Sequence, residues 1–266
     1  MSLSLSAQQI EYRQSAAFSL QSLSMQFQAG KITSIIGPNG SGKSTLLRLM
    51  SNLAHPDKGT VMLDGKEISG IHPKKLARTM TMLTQSPNLD LELTVHDLVS
   101  HGRLPHRKWY EKLTGEDHER IDWAISITNL KHLQHQSVHR LSGGERQRAW
   151  IAMAVVQSPK VLLLDEPTTY LDISHQMEVL ELVQYLNQAL GMTVVMVLHD
   201  INQAAKYSDE LVVMKDGTIY SSGKPLEIIH PALFEDVFLI EAKVHQENGV
   251  PFFTPVRLLR KRYDDR

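Results

Sequence analysis

Residues 37–45 read GPNGSGKST and match the pattern G-x-x-x-x-G-K-S/T. Gly37, Gly40 and Gly42, with Pro38, Asn39 and Ser41 between them, let the backbone wrap a phosphate chain with its N–H groups turned inward. Lys43 supplies a compact cation for the β and γ phosphates, Ser44 a hydroxyl for Mg²⁺, and Thr45 carries the loop into the helix-like STLLRLM. Average composition produces such a match by chance in roughly one chain in a hundred. Here a strand-like run precedes it and a helix-like run follows, which is the context the chemistry needs.

In VLLLDE (161–166) two carboxylates end an apolar run. Asp165 is placed to hold Mg²⁺ and Glu166 to act as general base on an attacking water. Alone, the two acids read equally well as a solvated strand end; beside a phosphate loop the catalytic reading wins. His199, in VLHD, can contact a γ-phosphate or that water, because a neutral imidazole both donates and accepts. Gln85 follows TMTML as a neutral contact for Mg²⁺ or water. Tyr12, 25 positions before Gly37, offers an aromatic face to adenine. Such stacking is worth about 1–3 kcal/mol, and a core or surface tyrosine is the competing reading.

A second anion cradle stands in HRLSGGERQRAW (139–150), where Ser142, Gly143, Gly144 and Glu145 open a basic helix. His132, His135 and His139 have loosely helical spacing but no evident carboxylate partners, and read as a solvated face rather than a metal site.

The elements that must carry these groups follow from periodicity. KITSIIG, KVLLLDE and TVVMVLHD are apolar on both faces, as buried strands of a parallel sheet are, and helical patterns follow at 43–53, 172–190 and 201–207. This alternation predicts an α/β fold with active loops at the strands' C-terminal ends. Asp64-Gly65 and Asp216-Gly217 predict hairpins and an antiparallel portion. Residues 94–103 and 114–130 carry threonine caps and apolar stripes, so 86–158 reads as a helical subdomain inserted into a core made of 1–85 and 159–222. The tail, 223–266, predicts one helix near 225–238 and a hairpin about Asn248-Gly249.

The chain of 266 residues has a net charge of −1 and no cysteine. Neither a nucleic-acid footprint nor a disulfide scaffold is expected. MSLSLSAQQI lacks the basic region of a secretory signal, and the longest apolar runs are strand-sized. Work at a membrane would need another chain to span it.

Together, GPNGSGKST, Gln85, LSGGERQR, VLLLDEPT, YLD and VLHD resemble, in order and spacing, an ABC transporter nucleotide-binding subunit. The resemblance implies a P-loop NTPase with a RecA-like core and a helical subdomain carrying the signature Leu141–Glu145. It implies a homodimer with ATP and Mg²⁺ between the subunits. Ser142, Gly143, Gly144 and Glu145 then act on a partner's nucleotide, and Asp172 falls at the loop that aligns the facing site. Glu145 stands where Gln is most common, and Thr169-Tyr170-Leu171-Asp172 where Ser-Ala-Leu-Asp is frequent; neither departure removes a group assigned to chemistry.

TVHDLVSHGRLPHR, LSGGERQRAWIAM and DEPTTYLDISHQ are similar to the ATPase subunits of bacterial iron-chelate importers, nearest to ferric-siderophore import, with haem and vitamin B12 import as neighbours. That group implies peripheral attachment at the cytoplasmic face of the membrane, permease subunits contacted through their coupling helices, and an extracytoplasmic substrate-binding protein. SPNLDLEL (86–93) is the expected docking surface. A soluble ATPase of chromosomes or repair is the rival, but its long coiled coil has no counterpart between Gln85 and Leu141. Translation-factor ATPases usually carry two such units, and an exporter subunit fits the subgroup stretches less well.

Overall fold

The computed structural model describes residues 2–15, 18–84, 92–108 and 110–259. The described chain opens with β1 (Leu5–Ser15), β2 (Phe18–Phe27), β3 (Ile32–Ile36) and helix α1 (Lys43–Met50). Then come β4 (Lys58–Leu63), β5 (Lys66–Glu67), α2 (Pro73–Thr79) and β6 (Met80–Leu83). Three helices follow: α3 (Val95–His101), α4 (Gly115–Ile127) and α5 (Gly143–Val155). β7 (Val161–Asp165), α6 (Ile173–Leu190), β8 (Thr193–Val197) and α7 (Ile201–Tyr207) alternate. The hairpin β9 (Glu210–Lys215) and β10 (Thr218–Gly223) leads to short helices α8 (Pro225–Ile228) and α9 (Pro231–Leu233), then β11 (Ile240–Glu247) and β12 (Val250–Leu258).

Among the described residues the central sheet has the order β10-β9-β3-β8-β7-β6, parallel except for the β9–β10 hairpin. A second, antiparallel sheet runs β2-β1-β4-β5. Successive side chains on a strand point to opposite faces, and the core divides by that parity. Ile35, Val161, Leu163, Val195, Val197, Val212 and Met214 join α1 and the antiparallel sheet in one cluster. Ile32, Ile36, Leu162, Leu164, Val194, Met196, Leu211 and Val213 join α3 to α7 in the other. Burying each such side chain stabilises the fold by about 1.5–3 kcal/mol. A one-residue slip in any of these strands would exchange its two faces.

The three Asx-Gly turns adopt left-handed conformations at both central residues: Asp64 and Gly65 (φ 49° and 74°), Asp216 and Gly217 (47° and 75°), Asn248 and Gly249 (50° and 81°). These are the backbone angles that a two-residue hairpin requires. At Gly217 a Cβ would stand 2.1 Å from the Ser19 carbonyl, so the turn also seats the edge of the central sheet against β2.

Thr94 and Thr114 cap α3 and α4 through reciprocal bonds with Asp97 and Asp117. Arg103 and Asp117 form a buried ion pair at 2.8 Å, and Arg103 Nη1 donates to the Val156 carbonyl beyond α5. Burial works to raise the Asp117 pKa, but hydrogen bonds from Thr114 and Arg103 outweigh it and hold the carboxyl at about 2. The helical stripe Ile121, Ala124, Ile125 and Thr128 is buried.

Two expected helices differ in extent. α1 stops at Met50, not 53, because the chain turns through a left-handed Asn52 (φ 63°). The single helix expected at 225–238 is broken into α8, α9 and a π-helical turn at Phe234–Phe238, since Pro231 has no N–H to continue α8.

Candidate functional site

The phosphate loop owes its shape to glycines that nothing else could replace. A Cβ on Gly37 (φ 148°) would stand 2.1 Å from the Met214 carbonyl, and one on Gly42 (φ 101°) 2.5 Å from Leu20 and 2.8 Å from Phe18. Gly42 is the N-cap of α1, with no side-chain cap and no acid in the first turn. Its leading N–H groups are therefore not closed by the helix's own side chains. Ser41 Oγ is buried without a hydrogen-bond partner among the described residues. Lys43 is buried, and its Nζ donates to the Gly37 and Pro38 carbonyls at 2.9 Å each. Burial lowers its pKa, against the opposing pull of Glu166 and Asp165.

The carboxylates reach this loop because β3, β8 and β7 are neighbours with their C-terminal ends aligned. Ser44 Oγ donates to Asp165 Oδ1 at 2.8 Å, spanning the end of β8. Burial raises the Asp165 pKa, with the Ser44 hydrogen bond the main opposing influence. Glu166, one residue beyond the strand, is held at a positive φ of 54°. Its Oε1 lies 2.7 Å from His199 Nε2, and its Oε2 accepts from Thr169 Oγ1 at 3.0 Å. Asp165 pairs with Val197 in the β7–β8 register, which places Glu166 and His199 side by side beyond the strand ends.

The resulting pocket is lined by Asn39, Gly40, Gly42, Lys43, Ser44 and Thr45 from the loop, with Glu166 and His199 opposite. Phe18, Thr169 and Tyr170 complete it. Ser44 and Asp165 present adjacent oxygen ligands of the kind a hard divalent cation takes, and the cationic Lys43 with inward amides suits a polyphosphate.

Ser142 to Glu145 do not line this pocket. Ser142 caps α5: its Oγ accepts from the Glu145 amide at 3.3 Å while its own amide donates to Glu145 Oε2 at 2.8 Å. That amide bond is the main cause of a lowered Glu145 pKa. Gly143 and Gly144 pack on the turn before α6 and on α6 itself, where Cβ atoms would stand 3.2 Å from Leu171 and 2.3 Å from His175. Asp172 caps α6 and accepts from the His175 amide (2.9 Å) and the Ser174 hydroxyl (3.0 Å).

Not every expected residue comes to the site. Tyr12 pairs with Leu20 across β1 and β2 and faces a separate hollow with Glu11, Arg13 and Asp57. The aromatic ring beside the phosphate loop is that of Phe18, missed because its approach to Gly42 is a long-range contact with no local signal. Thr169 and Tyr170, which the sequence presents only as departures from a motif, also line the pocket. Gln85 lies outside the described residues, as does most of SPNLDLEL.

Comparison with known proteins places these features in company. The family model described as ABC transporter matches residues 20–169. The petrobactin import ATP-binding protein FpuC of Bacillus anthracis is 49% identical over 97% of this chain and 94% of its own. The iron(3+)-hydroxamate import ATP-binding protein FhuC of Bacillus subtilis is 43% identical over 91% and 90%. Among solved structures, the dimeric post-hydrolysis state of the ATP-binding cassette MJ0796 bound to ADP and Pi superposes with a TM-score of 0.71 at 28% identity, covering 83% of this chain and 98% of that one.

Proposed function

This chain belongs to the ABC transporter family, and from that premise we propose that it is the ATP-hydrolysing subunit that energises import of ferric siderophores. The observation that carries the chemical part is the convergence of Lys43, Ser44, Asp165, Glu166 and His199 at the ends of three adjacent strands. The phosphates of ATP enter the loop, and Lys43 Nζ turns from the Gly37 and Pro38 carbonyls to the β and γ oxygens. Ser44 and Asp165 would hold Mg²⁺, with Gln85 as a further contact; when bound, the ion offsets the charge of the phosphate oxygens. Glu166 accepts a proton from a water directed at the γ-phosphorus. The new P–O bond forms as the bond to the β-phosphate oxygen breaks, leaving ADP and phosphate. His199 donates to Glu166 and fixes its orientation. We assign the adenine contact to Phe18 rather than Tyr12.

The subunit works as a dimer together with a membrane permease. Ser142, Gly143, Gly144 and Glu145 complete the partner's nucleotide site, and Asp172 lies at their side. No helix among the described residues is long and apolar enough to cross a membrane. In the proposed assembly the permease does the spanning and this chain sits at its cytoplasmic face. We divide it into an ATP-binding core (1–85 and 159–222), a signature-bearing helical part (86–158) and a C-terminal extension (223–266). An extracytoplasmic binding protein delivers the cargo. The names of the relatives support siderophores over haem or vitamin B12.

Glu166→Gln is expected to reduce ATP turnover by at least about a hundredfold while leaving ATP affinity within twofold, read by phosphate release and nucleotide titration. For the cargo, the chain is reconstituted with its permease and binding protein. Ferric siderophore should then stimulate turnover; stimulation by haem or cobalamin instead would replace that assignment.

A further inference from the structure

The turn that carries Glu166 contains two non-glycine residues in the left-handed region, Glu166 (φ 54°) and Tyr170 (φ 64°). Such conformations persist where the surroundings over-determine them. The described contacts show what does so here. Gln176, in the first turns of α6, donates from Nε2 to two carbonyls of the turn, Leu171 O at 3.0 Å and Thr168 O at 3.3 Å. Gln176 Oε1 in turn accepts from Gln203 Nε2 of α7 at 2.6 Å.

The direction of these bonds is forced. A carbonyl can only accept, so the two backbone oxygens demand the NH₂ end of Gln176. Its Oε1 must then face α7, and Gln203 must present its own NH₂. Gln203 Oε1 is left buried and without a hydrogen-bond partner among the described residues. The same helix begins just after His199, with Asp200 Oδ1 capping it by accepting from the Gln203 amide at 2.9 Å. A closed circuit results: Glu166 to His199, along α7 to Gln203, across to Gln176, and back through Thr168 and Leu171 to Glu166. The circuit holds the turn from its far side while His199 holds the carboxylate from the near side.

We infer that Gln176 and Gln203 are positioning residues for the hydrolytic step, acting through the backbone of the turn 166–171 to keep the Glu166 carboxylate in line with His199. The inference rests on the assignment of Glu166 as the base. Neither glutamine lines the nucleotide pocket, so their effect falls on turnover and not on ATP binding.

The test uses Gln176→Met and Gln203→Met, which keep side-chain length and remove the hydrogen bonds, in the full-length chain. Each single variant should lower ATP turnover by about tenfold or more with ATP affinity unchanged within twofold. Because the two act in series, the double variant should be no slower than the slower single one. In a Glu166→Gln background, ATP-driven dimer formation, read by size-exclusion chromatography, should survive both substitutions. Turnover within twofold of the parent in both single variants overturns the inference, as does loss of ATP-driven dimerisation. Should Gln176→Met fail to fold, Gln203→Met alone carries the test, since it leaves the bonds from Gln176 to the turn in place. If Glu166→Gln itself turns over normally, the base assignment fails; if only the glutamine variants do, the inference alone fails.

Discussion

Two helices in this molecule begin at glycine-rich sequences, and their N-termini are finished in opposite ways. α1 starts from a left-handed Gly42 with no side-chain cap and no acid in its first turn. α5 starts from Ser142 with a complete capping box, and Glu145 supplies the negative charge its first turn attracts. The first end is open to an anion within its own subunit. The second is already satisfied by Glu145, and its residues do not line the pocket. Similar composition thus yields an open helix end in one place and a closed one in the other.

The contrast breaks most visibly in nucleotide binding. Lys43→Ala is expected to weaken ATP binding to the isolated subunit by about a hundredfold or more, whereas Ser142→Ala should leave it within twofold, both read by calorimetric titration. Equal losses in the two variants would mean that α5 also serves its own subunit's pocket.

Next in size is Gly144→Ala, whose new methyl would stand 2.3 Å from His175. Overpacking of this kind costs about 1–3 kcal/mol, measurable as a lowered urea midpoint; an unchanged midpoint would show that α5 and α6 separate freely. Ser142→Ala removes one half of a cap, worth about 1 kcal/mol, and denaturant unfolding reads the loss.

The smallest effect concerns charge. The Glu145 pKa is lowered in the folded state, chiefly by the Ser142 amide. Its contribution to stability is therefore present above the unfolded value of 4.5 and lost as pH falls through the folded value. Glu145→Gln should cost a few tenths of a kcal/mol at pH 7, and the gap from the parent should close on acidification. A gap that widened towards low pH would contradict the capping assignment.

Much of this was legible in the sequence because it is local. Strands buried on both faces announce themselves as unbroken apolar runs, and Val161–Asp165 and Thr193–Val197 lie where such runs stand. Thr94, Thr114 and the Asx-Gly turns carry their geometry in two to four residues. The break of the helix expected at 225–238 is also local, since it falls at Pro231. What escaped depends on contacts between distant segments. Phe18 reaches the pocket only because β2 passes under Gly42, and Gln176 meets Gln203 only because α6 and α7 pack side by side. No period or motif encodes a meeting of that kind.

The seat of Gly143 and Gly144 on Leu171 and His175 has one more consequence. On the proposed reading, in which the signature serves a neighbour's nucleotide and Glu166 is the base, each signature rests on the turn of its own subunit's acid. A nucleotide that shifts this turn therefore sends a displacement, through van der Waals contact alone, to the opposite nucleotide. On that reading, communication between the two ATP sites would need no separate relay, because each chain would itself be the linkage, and sigmoidal dependence of turnover on ATP concentration is its expected signature.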